Sequence, residues 1–343
     1  MMLAVLLLLF IICLWGIRFT KMNPDYISLE GTKAIKGVFA IIILCSHMRG
    51  YLTLSDSIAT TSFLWVMGYL GQAMVAPYLF YSGYGIYHSF QNKPDYTSGF
   101  FRKRVLKTLV HFDLAILLFI LVQAFLPIHY PLRNYFLCWI GWESVGNSNW
   151  FILVILALYV ISYFGLLVEK RSTHSLLPVV TGLSIFLWIA LRFIAHKDNW
   201  WVDTIAAFPL GMCFRALQDY LEKRFRFDQT GHWLVSFILV LFLFIGWHHI
   251  KGIDVFGISS CLFCLVITIA AMKVRIGNPV LAWLGENAFA IYILQRLPMI
   301  ILSYFGVNQS PAIFILASIT ITLLLAGVFT NLTNRLDRQL FHA

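Results

Sequence analysis

The sequence predicts an all-α protein, a polytopic helical bundle integral to a membrane. Three observations predict it. Hydrophobic residues make up 60% of the chain against 12% charged, and the mean hydropathy is +0.81, far from the composition of a soluble domain. Apolar runs near the roughly 20 residues of a spanning helix recur from one end of the chain to the other. Lysine and arginine concentrate in alternate loops, as the positive-inside rule requires of a multi-pass protein.

Residues 1–17 are apolar throughout, with Arg18 and Lys21 after them and no basic residue before. That charge order is the reverse of a secretory signal, so the segment reads as a retained span with its N-terminus outside. Further spans are expected at 34–52, 63–89, 105–126, 149–168, 176–195, 200–217, 232–248, 253–271, 280–304 and 311–332, about eleven in all, with the C-terminus cytoplasmic. Alternating them tests the count: all but six of the 25 lysines and arginines fall in the cytoplasmic set. Arg49, Arg133, Lys197 and Lys251 fall outside, while Arg192 and Arg296 lie within spans near an outer end. Loops are short and no solenoid or inverted repeat is visible, so a single membrane domain is expected over residues 1–343. Because the basic residues are spread over these loops rather than gathered on a soluble face, the net charge of +10 does not indicate nucleic acid.

Six cysteines, at 13, 45, 138, 213, 261 and 264, fall in or beside apolar runs without framework spacing, so neither a disulfide nor a zinc site is expected. Cys261 and Cys264 form a C-x-x-C inside an apolar run, where core packing is the better reading. His88, His111 and His129 lack metal-ligand spacing, and no metal is predicted. In the outer loop from Pro127 to Asn149, Trp139 and Trp142 stand where aromatic side chains anchor a membrane interface.

Ionisable side chains inside spans are costly, which makes His47, His88, His111, Asp113, Arg192, Asp203, Glu286 and Arg296 functional candidates. His47 leads them. In KAIKGVFAIIILCSHMRG, ten apolar or small residues separate it from Lys36, about 16 Å along a helix and about half a bilayer core. An imidazole titrating near neutral pH can take a proton from a hydroxyl nucleophile. A packing histidine bonded to a neighbouring helix is the competing reading, and Lys36 alone fits helix anchoring equally well. The third span ends in APYLFYSGYGIYHSF, where Ser82, Gly83 and Gly85 let a second backbone or a ligand approach closely. Arg102, Lys103, Arg104 and Lys107 in FFRKRVLKTLV place four cations at the mouth of the fourth span. Positive-inside topology and a site for a polyanion, such as the phosphates of a coenzyme, both put them there.

The order of these features resembles membrane acyltransferase family 3, the acyltransferases of bacterial surface glycans, over nearly the whole chain. The family's basic residue, ten residues and histidine are matched by Lys36 and His47, with lysine for the commoner arginine. Its aromatic run ending in Ser-Gly-aromatic is similar to LFYSGYGI from Leu79 to Ile86, and its basic segment to FFRKRVLK. Its Trp and later Tyr correspond to Trp150 and Tyr159 in NWFILVILALY. The late pattern is partly met by LGENAFAIYILQR, with Gln295 where many members have histidine. Ten spans are usual in the family, so residues 1–17 would be an extra N-terminal span before a family-like core at 34–332.

The resemblance implies an acyltransferase, transferring groups other than aminoacyl groups. It would move an acyl group, usually acetyl, from cytoplasmic acyl-coenzyme A to a hydroxyl of a cell-surface or lipid-linked glycan, at the bacterial cytoplasmic membrane. In that reading Arg102, Arg104 and Lys107, with Lys36, hold the coenzyme's phosphates. His47 acts as general base or as transient acyl carrier, base catalysis needing fewer assumptions. Ser82, Tyr84, Trp150 and Tyr159 shape the acyl tunnel, and Asp203 and Glu286 pair with Arg192 and Arg296 inside the bundle. The alternative is a transporter or flippase for a lipid-linked glycan, against which the missing inverted repeat speaks.

Overall fold

The computed structural model describes residues 2–52, 58–250 and 253–341; Lys251 lies outside them. The chain opens with α1 (Met2–Leu14) and a short strand β1 (Ile17–Phe19), followed by α2 (Lys33–Met48), α3 (Ile58–Leu70), α4 (Ala76–Asn92) and α5 (Lys107–Phe125). Then come α6 (Leu132–Leu137), α7 (Trp150–Glu169), α8 (Leu176–Ile189), α9 (Ala207–Phe225), α10 (Thr230–His249) and α11 (Ile253–Ala271). After β2 (Val274–Ile276) the chain closes with α12 (Pro279–Glu286), α13 (Ala288–Leu294), α14 (Arg296–Tyr304) and α15 (Pro311–Leu340).

Among the described residues, five helices are long and apolar enough to cross a membrane, at Phe101–Phe125, Trp150–Glu169, Leu176–Ile194, Thr230–His249 and Pro311–Leu340. A sixth forms if Thr60–Leu70 and Ala73–Asn92, bent by 48° at their junction, act as one span. The expected span at 63–89 is this bent pair. The chain breaks near Gly71, where a Cβ would crowd Ser46 Oγ, and restarts with Pro77 in the first turn of α4.

Two expected spans differ from what the structure displays. Only a single 3-10 turn at Asn199–Trp201 precedes a run of turns at 202–206; α9 begins at Ala207, after a buried turn holding Asp203 and Thr204, and its second half, RALQDYLEKRF, is largely exposed. Hydropathy registers an apolar run without distinguishing a buried turn from a helix. The run at 280–304 divides into α12, α13 and α14. Asn278 caps α12, its Oδ1 accepting from Val280 N and Leu281 N at 2.9 and 3.2 Å. Between α13 and α14, Pro298 has no N–H to return to the Leu294 carbonyl, which interrupts the ladder there. The three-residue strands are a further departure: Gly16, at φ +79°, turns the chain so that Ile17–Phe19 pairs antiparallel with Val274–Ile276.

Two helix crossings hold the centre together. A Cβ at Gly83 of α4 would overlap the Phe208 carbonyl, and one at Gly211 of α9 would overlap that of Phe80. In the same way Gly37 of α2 lies against the Leu281 carbonyl and Gly285 of α12 against that of Lys33. Small residues let backbones meet where apolar surface alone gives no preference over lipid. Around these pairs Phe39, Phe80, Phe112, Phe119, Phe208 and Ile116 are almost fully buried. By contrast α10 buries only Phe244 among its described side chains and turns an apolar face outward.

Candidate active site

The crossings leave an inner cavity of about 350 Å³ between α2, α4, α7 and α13. Lys36, Tyr81, Ser82, Arg104, Tyr159, Tyr292 and Gln295 are on its wall. A second cavity of about 650 Å³ opens among Lys93, Lys103, Arg104, Lys107 and His111. The two adjoin, because Arg104, Thr108, Tyr159, Glu286 and Phe289 line both. The larger cavity has the more basic wall and the smaller one the more apolar wall.

His47 lines neither cavity but neighbours the wall of the inner one. Its ring centroid is 6.2 Å from that of Tyr292, and Tyr292 in turn meets Phe151 edge-on at 5.4 Å, both on the cavity wall. On its other side, His47 Nδ1 lies 3.2 Å from Ser148 Oγ. The histidine is thus a ring neighbour of a wall residue without being on the wall itself. Gln295, fully buried, donates to the Tyr292 carbonyl at 3.1 Å and leaves its Oε1 without a partner among the described residues.

The predicted basic residues part company. Arg104 lines both cavities, beside Tyr96 and Tyr159. Lys36 reaches the inner wall, 5.3 Å over the Tyr81 ring, and makes no ion pair among the described residues. Lys107 lines the outer cavity but spends its charge on Asp337 at 2.7 Å, and His111 Nε2 meets the same carboxylate at 2.8 Å. Arg102 is exposed and faces the end of α15, where its guanidinium donates to the Leu340 carbonyl. Arg102 is therefore a helix-end contact and lines neither cavity.

The tunnel residues divide likewise. Ser82 and Tyr159 line the inner cavity. Tyr84 does not; its hydroxyl donates to Gln218 at 2.8 Å, in a network with Tyr26 and Glu222 that ties the segment before α2 to α9. Trp150 packs on Phe151 at 6.0 Å and lines neither cavity. Asp203 is buried in the turn before α9, away from both cavities, with Oδ1 unpaired among the described residues. Glu286 lines both cavities, yet it is exposed and bridges to Lys33 at 2.5 Å. The expected pairing with arginines is not found: Arg192 donates to the Lys197 carbonyl at 3.1 Å and Arg296 to the Tyr51 hydroxyl at 3.2 Å. Lys33, at the first turn of α2, lies closer to Glu286 because α12 crosses α2 at Gly285. Of the other histidines, His88 is exposed and accepts from Arg215 Nε at 3.1 Å.

Asp337 gives a structural prediction. Its side chain is buried and serves both Lys107 and His111. Asp337→Ala leaves both unpaired and should cost about 2–4 kcal/mol, discounted because Lys107 is over a third exposed. Thermal unfolding in detergent reads this, and an unchanged midpoint would show that the cluster contributes nothing to the fold.

Comparison with known families decides the chain's relationship. A family model described as an acyltransferase domain, acyltransferase family 3, matches residues 26–331. The chain belongs to acyltransferase family 3. Searches of curated proteins and of solved structures return no match. As a member of that family, with several apolar helices, the protein is a multi-pass membrane acyltransferase. The family match spans α2 to most of α15, so the inner cavity, His47 and Ser148 fall within it, while Thr333, Asn334 and Asp337 on the wall of the second cavity lie beyond it. Sequence reading missed Tyr292 and Ser148. Neither carries a charge, and Ser148 reaches His47 across 101 residues.

Proposed function

We propose that this family 3 acyltransferase moves an acetyl group from cytoplasmic acetyl-coenzyme A to a hydroxyl of a cell-surface or lipid-linked glycan, as a bacterial O-acetyltransferase. The observation that carries the reading is the adjoining pair of cavities, the larger with a basic wall and the smaller with Tyr292, a ring neighbour of His47, on its wall. The wider, polar cavity suits the nucleotide and its phosphates, with Arg104, Lys103 and Lys93 as cations. The narrower one suits the pantetheine arm, with Lys36 adding a charge on the wall. His47 Nε2 takes the proton of the acceptor hydroxyl as that oxygen attacks the thioester carbonyl. The C–S bond then breaks, and the departing thiolate takes the proton back from the imidazolium. In this arrangement the Lys36 end of α2 faces the cytoplasm and His47 the outer half. The charge distribution supports an outside N-terminus, a cytoplasmic C-terminus and about eleven crossings, a number that needs α1, α2, α9, α11 and the kinked α13–α14 beside the long helices and the bent pair.

Arg102 and Arg104, two positions apart, separate the readings of the basic cluster. Arg104→Glu should raise the Michaelis constant for acetyl-coenzyme A at least about tenfold, the effect of losing a charged contact of about 1.5–3 kcal/mol. Arg102→Glu should leave it within about twofold. Steady-state kinetics on the purified protein in nanodiscs checks both. Equal responses would mean the cluster acts through topology alone. Mass spectrometry of surface glycans from cells with and without the protein tests the acceptor, and glycan movement without acyl turnover would favour a flippase.

A further inference from the structure

We propose that Ser148 is the positioning residue for His47, accepting a hydrogen bond from its Nδ1–H and so leaving the lone pair on Nε2 for the acceptor's proton. The inference rests on the reading of His47 as the base. A neutral imidazole has one donor and one acceptor nitrogen, and the partner of the first decides the chemistry of the second. Ser148 Oγ lies 3.2 Å from Nδ1, and Nε2 has no hydrogen-bond partner among the described residues. No carboxylate among the described residues pairs with the ring. The charged and titratable groups facing it are Tyr292 of α13 and Arg296 of α14.

The loop carrying Ser148 is built to hold one position. Val145, Asn147 and Ser148 are buried. Asn147 Oδ1 accepts from Val145 N at 3.0 Å, and Ser144 Oγ donates to the Asn147 carbonyl at 2.7 Å while accepting from Gly146 N at 3.0 Å. From outside the loop, Gln123 of α5 donates to the Val145 carbonyl at 2.5 Å and Asn134 of α6 to the Ser144 carbonyl at 2.6 Å. Gly146 adopts φ +97°, where a Cβ would meet Ile300 and the Tyr130 hydroxyl. Backbone and side-chain contacts therefore fix where Ser148 presents its oxygen, a short step before α7 begins. A neutral hydroxyl orients the ring without adding a buried negative charge, and its bond to Nδ1 strengthens when the ring becomes charged.

The test is release of free coenzyme A thiol from acetyl-coenzyme A by the full chain in native membranes, with membranes lacking the protein as the blank and His47→Ala measured alongside. Ser148→Ala should lower kcat about tenfold to hundredfold, leave KM for acetyl-coenzyme A unchanged, and move the acidic limb of the rate profile to lower pH. Ser148→Thr, which keeps the hydroxyl, should restore both. If Ser148→Ala does not fold, Ser148→Cys, with its poorer acceptor, carries the same readouts. A wild-type kcat and pH limb in Ser148→Ala, a loss confined to KM, equal losses in the Thr variant, or an acyl adduct on Ser148 would each overturn the proposal. Full activity in His47→Ala would instead remove the His47 reading itself.

Discussion

His47→Ala should reduce acyl transfer by about 10²–10⁴-fold, the span that a positioned general base contributes. Binding of acetyl-coenzyme A to the purified variant should remain near that of the wild type, because His47 is not on the wall of either cavity. The split matters more than the loss. A variant that merely disturbed α2 would also move Lys36 and weaken the donor. His47→Gln keeps much of the volume and a hydrogen-bonding group yet cannot accept a proton at neutral pH, so it should be as inactive as the alanine variant. Turnover in membranes and binding by titration calorimetry check the two halves, and a near wild-type rate in either variant ends the assignment. Base catalysis also predicts no acyl-imidazole after an acid-quenched single turnover; an adduct on His47 by mass spectrometry would make it a carrier.

How much of this was legible in the sequence depends on the range of the interactions involved. Helices α5, α7, α8, α10 and α15 follow continuous apolar runs, and hydropathy alone places them. The break after Leu294 also had a local cause in Pro298, but length masked it, since a largely apolar run from 280 to 304 looks like one span. The turn holding Asp203 had no local signature. Within the site, Lys36, Ser82, Arg104 and Tyr159 line the inner cavity, Tyr159 having been marked by the family resemblance alone. The division of the basic cluster was hidden, because it is decided by partners far along the chain: Leu340 is 238 residues from Arg102, and Asp337 is 226 from His111. A charge read from sequence has no partner until the fold supplies one. The same holds for His47, whose prominence came from its depth in α2 and whose orienting contact comes from a loop between α6 and α7.

Gly83 and Gly85 give the second large effect, and they should respond in opposite ways. Both interrupt the apolar run of α4, and sequence offers close packing and ligand access for either. In the fold Gly83 lies against the Phe208 carbonyl, whereas a Cβ at Gly85 meets no atom within 4 Å and faces the inner cavity. Gly83→Val must push α4 away from α9, and backbone cannot yield as a flexible side chain can; a loss of about 3 kcal/mol or more is expected. The variant should show a lower unfolding midpoint and poor recovery from detergent. Gly85→Leu should fold at least as well as the wild type, since leucine favours a helix over glycine by up to about 1 kcal/mol. Its side chain would enter the space assigned to the acyl-coenzyme A arm, so acyl transfer should fall while the unfolding midpoint holds or rises. A comparison of acetyl with longer acyl donors extends the test, because crowding at this position should penalise the longer donor more. If Gly83→Val unfolds like the wild type, the α4–α9 contact is not what holds the crossing. If Gly85→Leu keeps full activity with every donor, the inner cavity is not the donor's path, and the connection between Arg104 and His47 must run elsewhere.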